Sequence, residues 1–216
     1  MSTLRAAPDG FLVVLSDVKS ENERDYLSWL TTEHVQERLG IPGFMAVRIF
    51  RMPIDGGHRY FIWYQLEDAD VVDSPAYLAR LNNPTPWSRR IMPTLENFGR
   101  GGGRVEASVG DQASSMIFAT ALSESAPDLR GVLDMMIALP EIRAAHLLIA
   151  DLKKSEVRTN ERDLRTNNSS FAALLIVESE SEKALNEALA AVSSLPRSPG
   201  DTTVSGLYRE VFSLTN

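Results

Sequence analysis

The chain has 216 residues, 44% hydrophobic and 24% charged, with a formal charge of −7, three histidines and no cysteine. This is enough apolar content for a packed core, while the acidic balance (sequence pI ≈ 5.1) excludes the clustered cationic face that phosphate neutralisation requires, so no nucleic-acid partner is expected. Lack of cysteine excludes disulfides, thiolate catalysis and Cys-ligated zinc or iron–sulfur sites, and with no signal-like apolar run in MSTLRAAPDG and no span of ~20 apolar residues, a cytoplasmic protein without membrane contact is expected.

In chain order, the run Gly10 to Ser16 is short, apolar and β-branched, which predicts a buried strand. Ser20-Glu21-Asn22-Glu23 has the S-x-x-E spacing of a capping box and predicts a helix that stops at Gly40 before Pro42. Within it Leu27, Leu30, His34 and Arg38 share one face, with Tyr26, Trp29 and Glu33 in the adjacent row. Phe44 to Met52 and His58 to Leu66 read as a hairpin about the turn Pro53 to Gly57. A second helix is expected from Asp73-Ser74-Pro75 to Asn82, a short one over Trp87 to Met92, and a strand around Val105. The order is β-α-β-β-α-β.

The remainder repeats that order. Strands are expected at Ser115–Leu122, Ala144–Leu152, Phe171–Val177 and Ser205–Phe212, with helices at Ala126–Leu139 and Ser181–Ser194. Leu139-Pro140-Glu141-Ile142 stands where Ile41-Pro42-Gly43-Phe44 stands in the first half. The fold class is therefore α+β: two tandem ferredoxin-like halves, residues 1–107 and 115–216 joined by a linker at 108–114, whose bare sheet faces pack together as an intrachain barrel. The chain would then be a pseudo-dimer in itself, and a further homodimer is open. The glycine run Gly99 to Gly103 has neither the P-loop pattern nor a strand-then-helix setting, and reads as a flexible or bulged loop rather than a phosphate cradle.

His34 is the candidate general acid or base, because it lies on a helix face that otherwise points inward. Glu33, Trp29, Arg48, Tyr60, Trp63 and Tyr64 converge with it if helix and hairpin pack together. Such aromatic walls with a few polar groups suit a small molecule, though core packing gives the same density. His58 reads as a loop histidine. Aligning the halves sets His34 against Val132, Trp63 against Leu174 and Arg48 against His146, so the polar set, and with it the site, belongs to the first half. The charged runs Ser155–Asn168 and Glu178–Lys183 read as solvated loop or helix start. No zinc, nucleophile-elbow or dinucleotide motif occurs, and neither metal nor cofactor is expected.

The segments Asp25 to Arg51 and Ser74 to Arg90 resemble the EthD-like branch of the dimeric α/β-barrel superfamily, in which a W-x4-H helix (Trp29 to His34) leads into a P-G-F strand (Pro42-Gly43-Phe44). The resemblance covers about the first 107 residues. It implies a pocket between sheet and helices, with His34 moving a proton, Trp29, Trp63 and Trp87 as walls, and Arg48 or Tyr64 orienting a ligand oxygen. Activities in the superfamily include cofactor-free monooxygenation, cyclisation, dehydration and isomerisation of aromatic or polyketide-like compounds, and many members have no assigned activity, so a non-catalytic binding or structural role stands beside these. Haem binding, known elsewhere in the superfamily, would need His34 as axial ligand and basic groups for the propionates.

Overall fold

The computed structural model describes residues 8–123, 129–155, 157–165, 168–193, 195 and 204–216. Eight strands run β1 Gly10–Lys19, β2 Phe44–Ile54, β3 Gly57–Leu66, β4 Glu96–Gly110, β5 Met116–Leu122, β6 Ala144–Ala150, β7 Ala173–Ser179 and β8 Gly206–Thr215. The helices are α1 Glu23–Trp29 and α2 Val35–Leu39, which are continuous through a π-helical turn at Leu30–His34, then α3 Pro75–Leu81, α4 Pro86–Ile91, α5 Leu129–Ile137, α6 Leu152–Ser155 and α7 Glu182–Ala191. Residues 126–128 of the expected fifth helix lie outside the described set. Among the described residues no helix is long and apolar enough to cross a membrane.

Each half orders its strands as a ferredoxin-like sheet, β4-β1-β3-β2 and β8-β5-β7-β6. The two sheets close into one eight-stranded barrel through the antiparallel pairs β2–β8 and β4–β6, so both seams join one half to the other. Closure leaves no edge strand unpaired. The helix-to-strand landmark also holds in the backbone: Gly43 and Glu141, aligned across the halves, both have positive φ (91° and 65°). Glycine adopts that geometry without cost, whereas Glu141 is strained and is fixed by Ser179 and Ser181, which donate hydrogen bonds to its carbonyl and carboxylate.

Strand alternation divides the side chains among three cores. Outward residues of the first half, such as Leu12, Ile62 and Tyr64, lie under α1, α2 and α3. Inward residues, among them Phe11, Phe61, Trp63, Ile117, Leu174 and Tyr208, fill the barrel. Outward residues of the second half pack under α5 and α7.

Three local expectations are corrected. Ser20 and Glu23 form no capping box: the helix begins after Asn22 without a side-chain cap, Ser20 Oγ donates to Gly56 O, and Glu23 accepts from Tyr60 Oη. The hairpin turn is only Asp55-Gly56, with Gly56 at φ 75°, because Ile54 and Gly57 already pair. Gly99 to Gly103 is not a loop but the middle of β4, which extends to Gly110. Glycine is needed there for space. A Cβ on Gly101 would sit 2.4 Å from the Phe171 ring, and one on Gly103 would sit 2.2 Å from Ile149 O on the neighbouring strand. Backbone cannot yield as a side chain can, so Gly103→Ala should destabilise the barrel by at least ~1–3 kcal/mol, read as a lower urea midpoint. An unchanged midpoint would show that β4 and β6 can spread.

Candidate functional site

The first helix sets the site through its π turn. Val35 N–H donates to Leu30 O, five residues back, and the hydroxyls of Thr31 and Thr32 bond the carbonyls of Leu27 and Ser28. Threonine back-bonding of this kind bends a helix, and a π turn rotates the succeeding residues about the helix axis. Residues five apart in a regular α-helix diverge, but here Trp29 and His34 stack with ring centroids 4.3 Å apart. The indole is held in turn by Nε1 donating to Ser88 Oγ at 3.1 Å.

Both rings face a cavity of about 70 Å³ between the helices and the outer face of the first sheet. That is several times the ~10–15 Å³ a single water needs. Leu12, Val14, Ile62, Met92 and Phe98 give apolar walls, and Tyr26, Tyr64 and Tyr77 aromatic ones. Three buried polar atoms of the lining, His34 Nδ1, Tyr64 Oη and Arg100 Nε, have no hydrogen-bond partner among the described residues.

The second half supplies the roof. Where β2 and β3 are joined by two residues, β6 and β7 are joined by residues 151–172, of which Ser155, Glu161 and Ser169 bond to the first half. Gly102 N–H donates to Ser155 Oγ (3.1 Å), Glu161 N–H to Leu81 O (3.0 Å), Arg100 N–H to Ser169 O (3.0 Å) and Ser169 N–H to Phe98 O (2.9 Å). The central tie is an ion pair, Arg38 Nη2 to Glu161 Oε2 at 2.6 Å, with side chains only 3% and 9% exposed. Arg165 lies 3.7 Å from the same carboxylate and 3.7 Å over the Phe98 ring. The run Ser155–Asn168 is thus not simply solvated, and neither is Glu178, which is buried in β7. A site confined to the first half is likewise incomplete.

Burial, reinforced by Arg38 and Arg165, holds His34 well below the usual histidine range, so its imidazole is neutral at neutral pH. Burial pushes the Tyr64 hydroxyl up, with Arg38 opposing, so it stays a proton donor. Burial also opposes the charge on Arg38, but Glu161, Tyr77 and Tyr64 more than offset this and its pKa is raised. For Arg165 burial dominates, and its pKa is pushed down to about 10 despite Glu161.

The His34 shift has a stability consequence. Below the ordinary histidine value of about 6.5 the unfolded chain takes up a proton that the native site refuses, so stability falls as pH drops, by up to ~1.4 kcal/mol per pH unit, until the native pKa is reached. Urea midpoints measured from neutral pH into the mildly acidic range should fall less steeply for His34→Gln than for wild type; parallel slopes would contradict a neutral buried His34.

Of the residues singled out from sequence, the cavity brings together Trp29, His34 and Tyr64. The others lie elsewhere. Glu33 accepts from Thr85 Oγ1 at 2.6 Å beside α4. Trp87 Nε1 donates to Asp25 on the outer surface, under Arg90. Tyr60 packs on Tyr26 and donates to Glu23, whose carboxylate is 2.8 Å from His58 Nδ1. Arg48 and Trp63 point to the opposite, barrel side of the sheet: Arg48 spans Glu178, Glu210 and the Ser114 carbonyl, and stacks on Trp63 and Phe50. His146, its counterpart in the other half, meets the same Glu178 at 3.2 Å. Sequence reading missed Arg100, Tyr77, Ser155, Thr159, Glu161 and Arg165, all at the cavity.

No family model matches the sequence, and no curated protein matches it. Solved structures do. An anthrone oxidase-like protein superposes with a TM-score of 0.57 at 10% identity, over 96% of this chain and 93% of its own. A candidate monooxygenase of Fusobacterium nucleatum gives 0.51 at 10% identity over 96% and 94%, and a candidate chlorite dismutase gives 0.56 at 12% over 94% and 95%. The fold is the ferredoxin-like dimeric α/β barrel. At such identities the likeness is one of fold, and chemistry must be argued from the site.

Haem does not fit this site as folded. Ligation would need open space for the macrocycle at a His34 nitrogen, whereas that residue is only 8% exposed and lies against Trp29. Among the described residues no group of three or more His, Asp or Glu side chains is placed to hold a metal ion.

Proposed function

We propose that the cavity binds a small, largely aromatic molecule and that His34 removes a proton from it, as in the cofactor-free enzymes of the EthD-like branch. The observation that carries this reading is the buried imidazole itself: packed against Trp29, without a partner at Nδ1 among the described residues, and facing the cavity. A packing histidine would satisfy its nitrogens. A neutral one beside a free volume is a base in waiting. Removing a proton from a carbon conjugated with a carbonyl leaves an enolate, and the unpartnered Tyr64 hydroxyl can donate to its oxygen. The neighbours named as anthrone oxidase-like and monooxygenase support the same substrate class.

Anthrone is a suitable probe. Deprotonated at its methylene carbon it reacts with dioxygen to give anthraquinone and water, two hydrogens leaving the carbon as one oxygen atom is retained. Wild-type protein should accelerate exchange of the methylene protons in deuterated water, with or without dioxygen uptake. Exchange without uptake would mark a proton-transfer enzyme of the cyclase, dehydratase or isomerase kind. Neither exchange nor uptake above buffer would leave a non-catalytic barrel.

A further inference from the structure

We propose that the ligand of this cavity is an organic anion, an aromatic carboxylate whose charge is met by Arg100 and Arg165. The inference rests on the reading of the cavity as a small-molecule site and adds the charge of what enters it.

The lining is strongly one-sided. Among its described residues the cations are Arg38, Arg100, Lys154, Arg162 and Arg165, and Glu161 is the only carboxylate. Lys154 is neutralised outside by Asp70 and by Asp73 at 3.2 Å, and Arg162 is half-exposed. Three guanidinium groups then remain against one carboxylate. Glu161 is committed to Arg38 at 2.6 Å and reaches Arg165 only at 3.7 Å. Among the described residues Arg100 meets neutral groups alone: its Nη1 donates to Ser155 O at 2.9 Å and to Lys154 O at 3.5 Å, and its Nε is buried with no partner.

A guanidinium cannot shed its proton, so an excess of buried positive charge is relieved only by a counter-charge. Burial is the main cause of the lowered Arg165 pKa, and Arg100 and Arg38 add to it as lesser ones. Geometry sets the charge beside an apolar wall. Arg100 stands on the sheet in register with Val14, near Leu12 and Ile62, and Arg38 comes from the helix side; each guanidinium carbon lies 5.7 Å from the centroid of the Tyr77 ring. A flat ring with one carboxylate matches that division, since a planar guanidinium fork receives a carboxylate through two hydrogen bonds.

The test is calorimetric titration of wild-type protein near neutral pH with two matched pairs, benzoate against benzamide and naphthoate against naphthamide. Each carboxylate is expected to bind at least about tenfold more tightly than its amide. Arg100→Gln should remove that advantage without weakening the amide, whereas Arg89→Gln, on the exposed side of α4, should change neither. If an amide binds as well as its acid, the anion inference fails and the small-molecule cavity stands. If no member of either pair binds, both fall. Should Arg100→Gln not fold, the wild-type pairs decide alone.

Discussion

Turnover at the cavity is expected to fall by about 10²–10⁴-fold in His34→Gln, with the fold retained. The exchange is close in shape, and no hydrogen bond at Nδ1 is lost because none is made. Glutamine can still lie against Trp29, whose own position is fixed by Ser88 rather than by the imidazole. What disappears is an unprotonated imidazole nitrogen facing the ligand; among the described residues of the lining, Glu161 is tied to Arg38 and Tyr64 is held protonated. The loss should therefore appear in kcat with little change in KM, since walls and charges that bind the ligand are untouched. Rate retained in a folded variant would remove His34 from the chemistry and leave it a packing residue.

Glu161→Ala should carry the largest stability effect of any single change at the site. It leaves Arg38, 3% exposed, without its carboxylate, and a buried charge stripped of its partner costs about 3–5 kcal/mol. How the molecule meets that cost depends on the roof. If residues 157–165 stay docked, the global urea midpoint falls by the full amount. If instead they lift and let water reach Arg38, the midpoint falls less, while amide exchange and proteolysis rise selectively in that segment. Both responses show the ion pair acting as a latch. Neither a lower midpoint nor faster local exchange would mean that the backbone bonds to Leu81, Phe98 and Gly102 hold the roof unaided.

The architecture was legible because it rests on short-range signals. Apolar runs bounded by turns located the strands, and the repeated helix–proline–strand step at Pro42 and Pro140 matched the like order of elements in the two halves, down to the shared positive φ at Gly43 and Glu141. The site was legible only where one helix wrote it. Trp29 and His34 are five residues apart, and the π turn that brings them together lies in the same stretch as two local threonine bonds. Two kinds of information failed. Arg48 and Trp63 were grouped with Tyr64 although period-two alternation puts Trp63 and Tyr64 on opposite faces of β3, so proximity in sequence outweighed a pleat that was available to read. The roof had no local signature at all: Glu161 meets Arg38 from 123 positions away, and a segment rich in Glu, Arg and Asn looks solvated until its partners are known. Gly99 to Gly103 misled for a related reason, since glycine there answers to Phe171 and Ile149, which are distant in sequence.

The way the barrel closes also bears on how the chain comes off the ribosome. β8, residues 206–215, is the last strand made, yet it is the slat between β2 and β5. Until it emerges, β2 presents its free edge, with Val47, Ile49 and Phe50 synthesised long before, and the first sheet has nothing to shut against. Early ferredoxin-like pairing can form β4-β1-β3-β2 during synthesis, but its inward face must wait for the last strand. Non-local closure of this kind is slow and leaves sheet edges exposed, so chains truncated short of Gly206 are expected to aggregate more readily than the full chain.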